Sequence, residues 1–317
     1  MTLRSEQVSD GETFQEVLAS HIGEPVKNFG VGGHSVYQAY LRMIREDEHS
    51  PADFVVRCLH ELVRAVRLCV LTASPFQIFN VFCADHIRSI ESWGAIRHNT
   101  TVEGHWFWAT KPRVALSERG DLVEVPNPCQ TQEQMMRALT EPDGALEAFG
   151  DDVLLHAYAR RAAGRSAVAG KEVDGAVTLG GRRDPALAEL NEYSLLTTMA
   201  IIERVESWAN ARGKKVLYVL SYGEQEFLDL LDGYRFDDAL LRWLAEQRLP
   251  VVDLLEEHRR DFGSFACSAE EYGERYWVGH YSPLGNFFCA WAILPKLLEL
   301  MGAARANDGP RAVNPLE

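Results

Sequence analysis

The stretch Glu24-Pro25-Val26-Lys27-Asn28-Phe29-Gly30-Val31-Gly32-Gly33-His34-Ser35-Val36-Tyr37-Gln38-Ala39-Tyr40-Leu41 decides how this chain is read. A short apolar run closes on the polar Asn28, and three glycines follow within four positions. Tyr37, Ala39, Tyr40 and Leu41 then take a helix-compatible pattern. That order predicts strand, tight glycine turn and helix, with His34 or Ser35 at the helix start. Glycine in such a turn admits positive φ and lets a ligand approach the main chain. The free N–H groups of a helix start favour an anion or a developing oxyanion. Glycines alone describe an ordinary α/β turn.

Outward from this stretch the chain alternates strand and helix patterns, as α/β folds do. Residues 113–116 and 122–125 predict a β-hairpin around a Gly120-Asp121 turn. Residues 131–162 read as helical, with a break at Pro142-Asp143-Gly144, and the Gly-, Ala- and Arg-rich 163–183 as a mobile loop. A long helix is expected over 185–212, ending at Gly213, with Leu187, Leu190, Leu195, Met199, Ile202 and Val205 on its apolar positions. Residues 215–220 form a near-continuous apolar run, the mark of a parallel strand buried on both faces. Helices at 223–231 and 236–247, a strand at 250–254 and a final helix at 284–302 complete the pattern. Pro295 is expected to kink that last helix, and the tail 303–317 reads as disordered. Without a repeat or a linker, 1–302 reads as one domain. A three-layer α/β/α sandwich with a mainly parallel, flavodoxin-like sheet fits this order.

Composition narrows the function classes. The chain has 317 residues, 46% hydrophobic and 25% charged, enough to bury a sizeable core. Its net charge of −14, from 32 basic and 46 acidic residues, argues against nucleic acid or an anionic membrane as the main partner. No apolar run reads as a membrane span, and the N-terminus has no signal-peptide core. Cys58, Cys69, Cys83, Cys129, Cys267 and Cys289 are scattered without a CxxC pair, which suits reduced thiols in a cytoplasmic protein.

The Asn-x-Gly-x-Gly-Gly pattern from Asn28 to Gly33, with Gln38 following, resembles the second conserved block of SGNH (GDSL-type) hydrolases. A second resemblance is Tyr276-Trp277-Val278-Gly279-His280-Tyr281-Ser282-Pro283-Leu284-Gly285-Asn286, followed by an apolar helix. It looks like the family's catalytic-histidine block, on a loop just before the last helix. The three-layer α/β/α sandwich is also that family's fold. The resemblance implies an acyl- or acetyl-ester hydrolase with His280 as general base and the Gly33 amide in the oxyanion site. Asn28 would fix the turn at that site. The third block is expected after the strand near 78–82, where Asp85 and His86 are the nearest polar candidates. No cofactor or metal is implied, and the substrate would be a small-molecule, glycan or lipid ester.

The family's nucleophile loop is not found. The segment from Val8 to Phe14 resembles the family's sequence just past that loop, and on this register Thr2 matches the motif's Thr. The serine then falls before Met1, so a truncated gene model is expected, with the first strand absent and a gap beside the second-block strand. Ser5 is the other serine in reach, but it lacks a preceding strand and glycine turn. The carboxylate three residues before the family histidine is replaced by Trp277. A catalytically inactive SGNH-fold binding protein is the alternative reading, and an acyltransferase on the same scaffold a third.

Residues 56–77 interrupt what reads as one strand: joining Val55 to Ile78 gives a buried strand of ordinary length. The block begins with Val, whose codons start GT, and ends with Gln, which can end AG, so it reads as a translated intron. A genuine insertion is the other reading, with Leu59, Leu62, Val63, Val66 and Val70 at helical spacing. Residues 97–180 form a further insertion, holding the hairpin and helices. Its His98, His105 and aromatics 106–108 read as packing or a pocket wall, with no standard metal-ligand spacing. Asp237-Asp238 suit a helix N-terminus, and Asp253 either faces the cleft or caps the next turn.

Overall fold

The computed structural model describes residues 12–23, 26–28, 35–49, 54–57, 76–82, 89–90, 112–141, 144–150, 152 and 185–307. Among these the chain is a mixed α/β protein. Its elements are α1 (Phe14–Ile22), β1 (Lys27–Asn28), α2 (Val36–His49), β2 (Phe54–Arg57), β3 (Phe76–Phe82), β4 (Arg113–Leu116) and β5 (Leu122–Val125). They continue as α3 (Gln132–Thr140), α4 (Gly144–Ala148), α5 (Pro185–Asn210), β6 (Lys215–Ser221), α6 (Glu224–Leu231) and α7 (Asp238–Glu246). The last are β7 (Val251–Asp253), α8 (Leu254–Phe262), α9 (Ala269–Tyr276) and α10 (Pro283–Asn307).

Five strands form a parallel sheet in the order β1-β2-β3-β6-β7, and β4 and β5 form a separate antiparallel hairpin. Strand β6 lies inside the sheet, between β3 and β7. From Val216 to Ser221 every residue is buried, as its apolar run predicts. Both α5 and α8 pack on β6, and α10 packs on β7 and α1.

Two expectations about the sheet are corrected. Residues 54–57 and 76–82 are two neighbouring parallel strands, not halves of one, with Val55 beside Gln77 and Arg57 beside Phe79. Parallel neighbours need a crossover of about a dozen residues or more, and 58–75 is long enough to provide one. Val56 and Gln77 therefore belong to the sheet, where a translated intron or an insertion interrupting one strand was expected. The gap expected beside β1 is also occupied, because β2 pairs there through Lys27–Val55 and Asn28–Val56. The strands follow sequence order, whereas the flavodoxin-like order 2-1-3-4-5 reverses at its switch point.

The local chemistry explains the elements. Ser35 and Gln38 cap α2: the Ser35 N–H donates to Gln38 Oε1 at 2.7 Å, and the Gln38 N–H reaches Ser35 Oγ at 3.4 Å. Gln38 Nε2 then donates to the Pro112 carbonyl at 2.7 Å, so this motif residue ties α2 to the start of β4. The hairpin turns at Gly120, whose φ of 83° only glycine adopts readily, and the Ser117 N–H closes it on the Asp121 carbonyl at 2.8 Å. Thr131 and Gln134 form the capping box of α3, and Gly213, with φ 65°, follows the end of α5.

The final helix runs to Asn307, past the expected end at 302. Its Ala303, Ala304 and Ala306 are strong helix formers, which explains the extension. Cys289, Ala290, Ile293, Leu297 and Met301 of α10 are buried in the core. Leu284, Phe287, Trp291 and Leu298 lie on its exposed side. The stretch Pro283–Gly302 is long and apolar enough to cross a membrane by length and composition, the one such helix among the described residues, although no apolar run read as a span in the sequence. Cys129, Cys267 and Cys289 are free thiols.

Candidate functional site

In a parallel sheet the carboxyl ends of all strands share one edge, where α/β proteins gather their functional groups. Here that edge carries Phe82 of β3, Ser221 of β6 and Asp253 of β7. Phe82 is level with Ser221, and Asp253 with Leu220. The histidine expected from the sequence is brought to this edge. Helix α9 ends where the Trp277 N–H donates to the Gly273 carbonyl at 2.9 Å. Trp277 and Tyr281 then form an antiparallel bridge, and Gly279 turns the chain with φ 86°. The Val278 N–H meets the His280 carbonyl at 2.6 Å inside this small loop. The loop is fastened to the sheet by Trp277, whose indole N–H donates to the carbonyl of Tyr222, the residue after β6, at 3.1 Å.

The loop's exit is equally fixed. The Ser282 N–H donates to the Tyr276 carbonyl at 2.8 Å, and Ser282 Oγ donates to the Arg275 carbonyl at 2.6 Å. The Gly285 N–H donates to Ser282 Oγ at 3.1 Å, and Asn286 Nδ2 reaches the Tyr281 and Ser282 carbonyls. Gly285 has to be glycine: a Cβ there would sit 2.3 Å from the Tyr276 carbonyl oxygen and 2.8 Å from the Tyr281 ring. The recurring residues of this motif thus build a rigid mount, leaving His280 half-buried and Val278 exposed at the tip.

Beside the mount lies a charged network that the sequence did not announce. Arg235 donates from Nε to Asp237 Oδ1 at 2.8 Å and from Nη2 to the Tyr222 hydroxyl at 2.7 Å, and its Nη1 pairs with Asp253 Oδ2 at 2.8 Å. The Tyr222 hydroxyl in turn donates to Asp237 Oδ2 at 2.6 Å. Burial opposes the charge on Arg235, but Tyr222, Asp253 and Asp237 outweigh it and hold its pKa above the ordinary value. Asp237 is fully buried and spends its oxygens here. Asp253 also caps α8, accepting from the Leu255 N–H at 3.1 Å. Of its two expected roles, the cap is the one formed. Its members come from three stretches of chain, around Tyr222, Arg235–Asp237 and Asp253, and only the fold brings them together.

The remaining candidates are not brought together among the described residues. Asn28 ends β1 level with Val56, and through the sheet register with Ile78 and Leu217. It therefore stops four residues short of the Phe82–Ser221 row, roughly 13 Å along the strands, and three strand spacings, roughly 14 Å, from β6. Gly33, Asp85 and His86 lie outside the described residues, as do Ser5, His34, His98 and His105. Ser282 Oγ is spent on the Arg275 carbonyl, and Ser221, at the end of β6, is 4% exposed. No cluster of three or more His, Cys, Asp or Glu side chains that could hold a metal occurs among the described residues.

Comparison of the chain with protein-family models, with curated proteins and with solved structures finds no match in any of the three.

Proposed function

We propose that this chain is an SGNH-type hydrolase of acyl or acetyl esters, on a three-layer sandwich, with His280 as its general base. One observation carries the reading: a motif histidine stands on a glycine-turned loop, bonded to the residue that follows the carboxyl end of the interior parallel strand β6 and followed at once by the last helix. In this mechanism a serine hydroxyl attacks the ester carbonyl while His280 takes its proton, then returns it to the leaving alcohol. The Gly33 amide would share the oxyanion charge. No nucleophile is assigned among the described residues.

The test is p-nitrophenyl acetate hydrolysis by the purified protein. Turnover that drops by on the order of 10⁶-fold in His280→Ala supports the reading. Turnover indifferent to that substitution sinks it.

A second reading, an inactive relative that binds an ester-like ligand in the same cleft, is favoured by Trp277. It stands where the family has a carboxylate, and its indole N–H is committed to Tyr222. Saturable binding of a substrate ester by the purified protein, without turnover, would select this reading.

A further inference from the structure

Directly beneath the His280 loop lies His258 of α8, with no exposed surface. Phe227 of α6 contributes a wall at 6.2 Å between ring centroids, and Phe288 of α10 stacks at 4.1 Å. Both feet of the loop touch it: Trp277 at 4.4 Å and Tyr281, stacked, at 5.7 Å. Tyr272 and Tyr276 of α9 close the remaining side at 5.9 and 5.3 Å. The titratable groups facing His258 are these three tyrosines, with Asp261 behind two of them.

The hydrogen bonds define its protonation. The Tyr272 and Tyr276 hydroxyls both donate to Asp261 Oδ2 at 2.9 Å. The Tyr272 oxygen can then accept from His258 Nδ1, 3.0 Å away, in the Nδ1–H tautomer. Nε2 is buried and without a partner. An imidazolium would need an acceptor or water at Nε2, and the closed box offers aromatic faces instead.

We propose that His258 is a proton-operated latch for the His280 loop: neutral, it closes the aromatic box against Trp277 and Tyr281; protonated, it is stable only when the loop lifts and admits water. This concerns the loop as a mechanical element and stands whether or not the chain hydrolyses esters. Burial lowers the pKa of the closed-state ring to about 3, while an opened ring regains the ordinary value of about 6.5. The open state therefore gains population about tenfold per pH unit below 6.5. Between pH 6.5 and 5 this slope lies above the usual carboxylate range.

The test monitors amide exchange of Trp277, Val278 and Ser282, whose N–H groups are bonded in the closed loop, across pH 7 to 5 and corrected for intrinsic exchange. Wild-type protection is expected to fall about tenfold per unit below 6.5, and to be flat in His258→Gln and His258→Phe. The glutamine variant keeps a polar contact for Tyr272 should phenylalanine fail to fold. Flat wild-type protection, an equal slope in a variant, or a His258 ring that titrates near 6.5 with the loop still protected would each overturn the latch.

Discussion

The indole N–H of Trp277 donates to the main-chain carbonyl of Tyr222 at 3.1 Å, and this bond joins the His280 loop to the end of β6. Both groups are buried, so neither has water as a substitute. Trp277→Phe keeps most of the ring contact with Phe227 and His258 but leaves the Tyr222 carbonyl without this donor. Urea unfolding should show a loss of about 1–3 kcal/mol. An unchanged midpoint would mean that the loop is held by its other contacts.

Gly285 is the second fastening. Its missing side chain is what allows α10 to begin against the Tyr276 carbonyl and the Tyr281 ring. A methyl group there meets main chain, which cannot swing away as a flexible side chain would. Gly285→Ala should lower stability by about 1–3 kcal/mol, despite alanine's better helix propensity. A rise in Tm would show that the contact is looser than the structure has it.

Arg235 neutralises a carboxylate that has no surface exposure. Arg235→Met keeps the bulk of the stem but strands Asp237, and removing one partner of a buried pair costs about 3–5 kcal/mol. Adding Asp237→Asn should recover part of that loss by removing the uncompensated charge. The double-mutant cycle reads this coupling directly, and strict additivity would contradict it.

The pH dependence of global stability has a definite sign. His258 is harder to protonate folded than unfolded, so its contribution is complete above about pH 6.5 and is lost as the pH falls toward 3. At 1.36 kcal/mol per unit, lowering the pH from 7 to 5 should cost wild type about 2 kcal/mol more than His258→Gln. Urea titrations at the two pH values check this, and equal losses in both proteins would refute it.

Much of the fold was legible because its signals are local. The apolar run of β6, the hairpin around Gly120 and the capped start of α2 at Ser35 and Gln38 each lie within a few residues. What escaped is long-range or disguised. His258 sits between the charged Glu257 and Arg259 in a helix that was not expected from the sequence, yet it is the centre of an aromatic box assembled from several stretches of chain. Helix α9 was missed although Ser268 and Glu271 spell its capping box. The two strands at 54–57 and 76–82 were merged because each is apolar, and only pairing distinguishes a split strand from two neighbours. The histidine mount was found through its motif, whereas the Arg235 network left no pattern to find.

The central claim is that the glycine block and the histidine block serve one cleft, and a crystal structure of the protein tests it most directly. The account predicts the Gly33 amide and the His280 imidazole facing a common pocket, on the order of 10 Å apart, with room between them for an ester carbonyl. Gly33 and His280 turned to opposite edges of the sheet would contradict it and end the hydrolase reading.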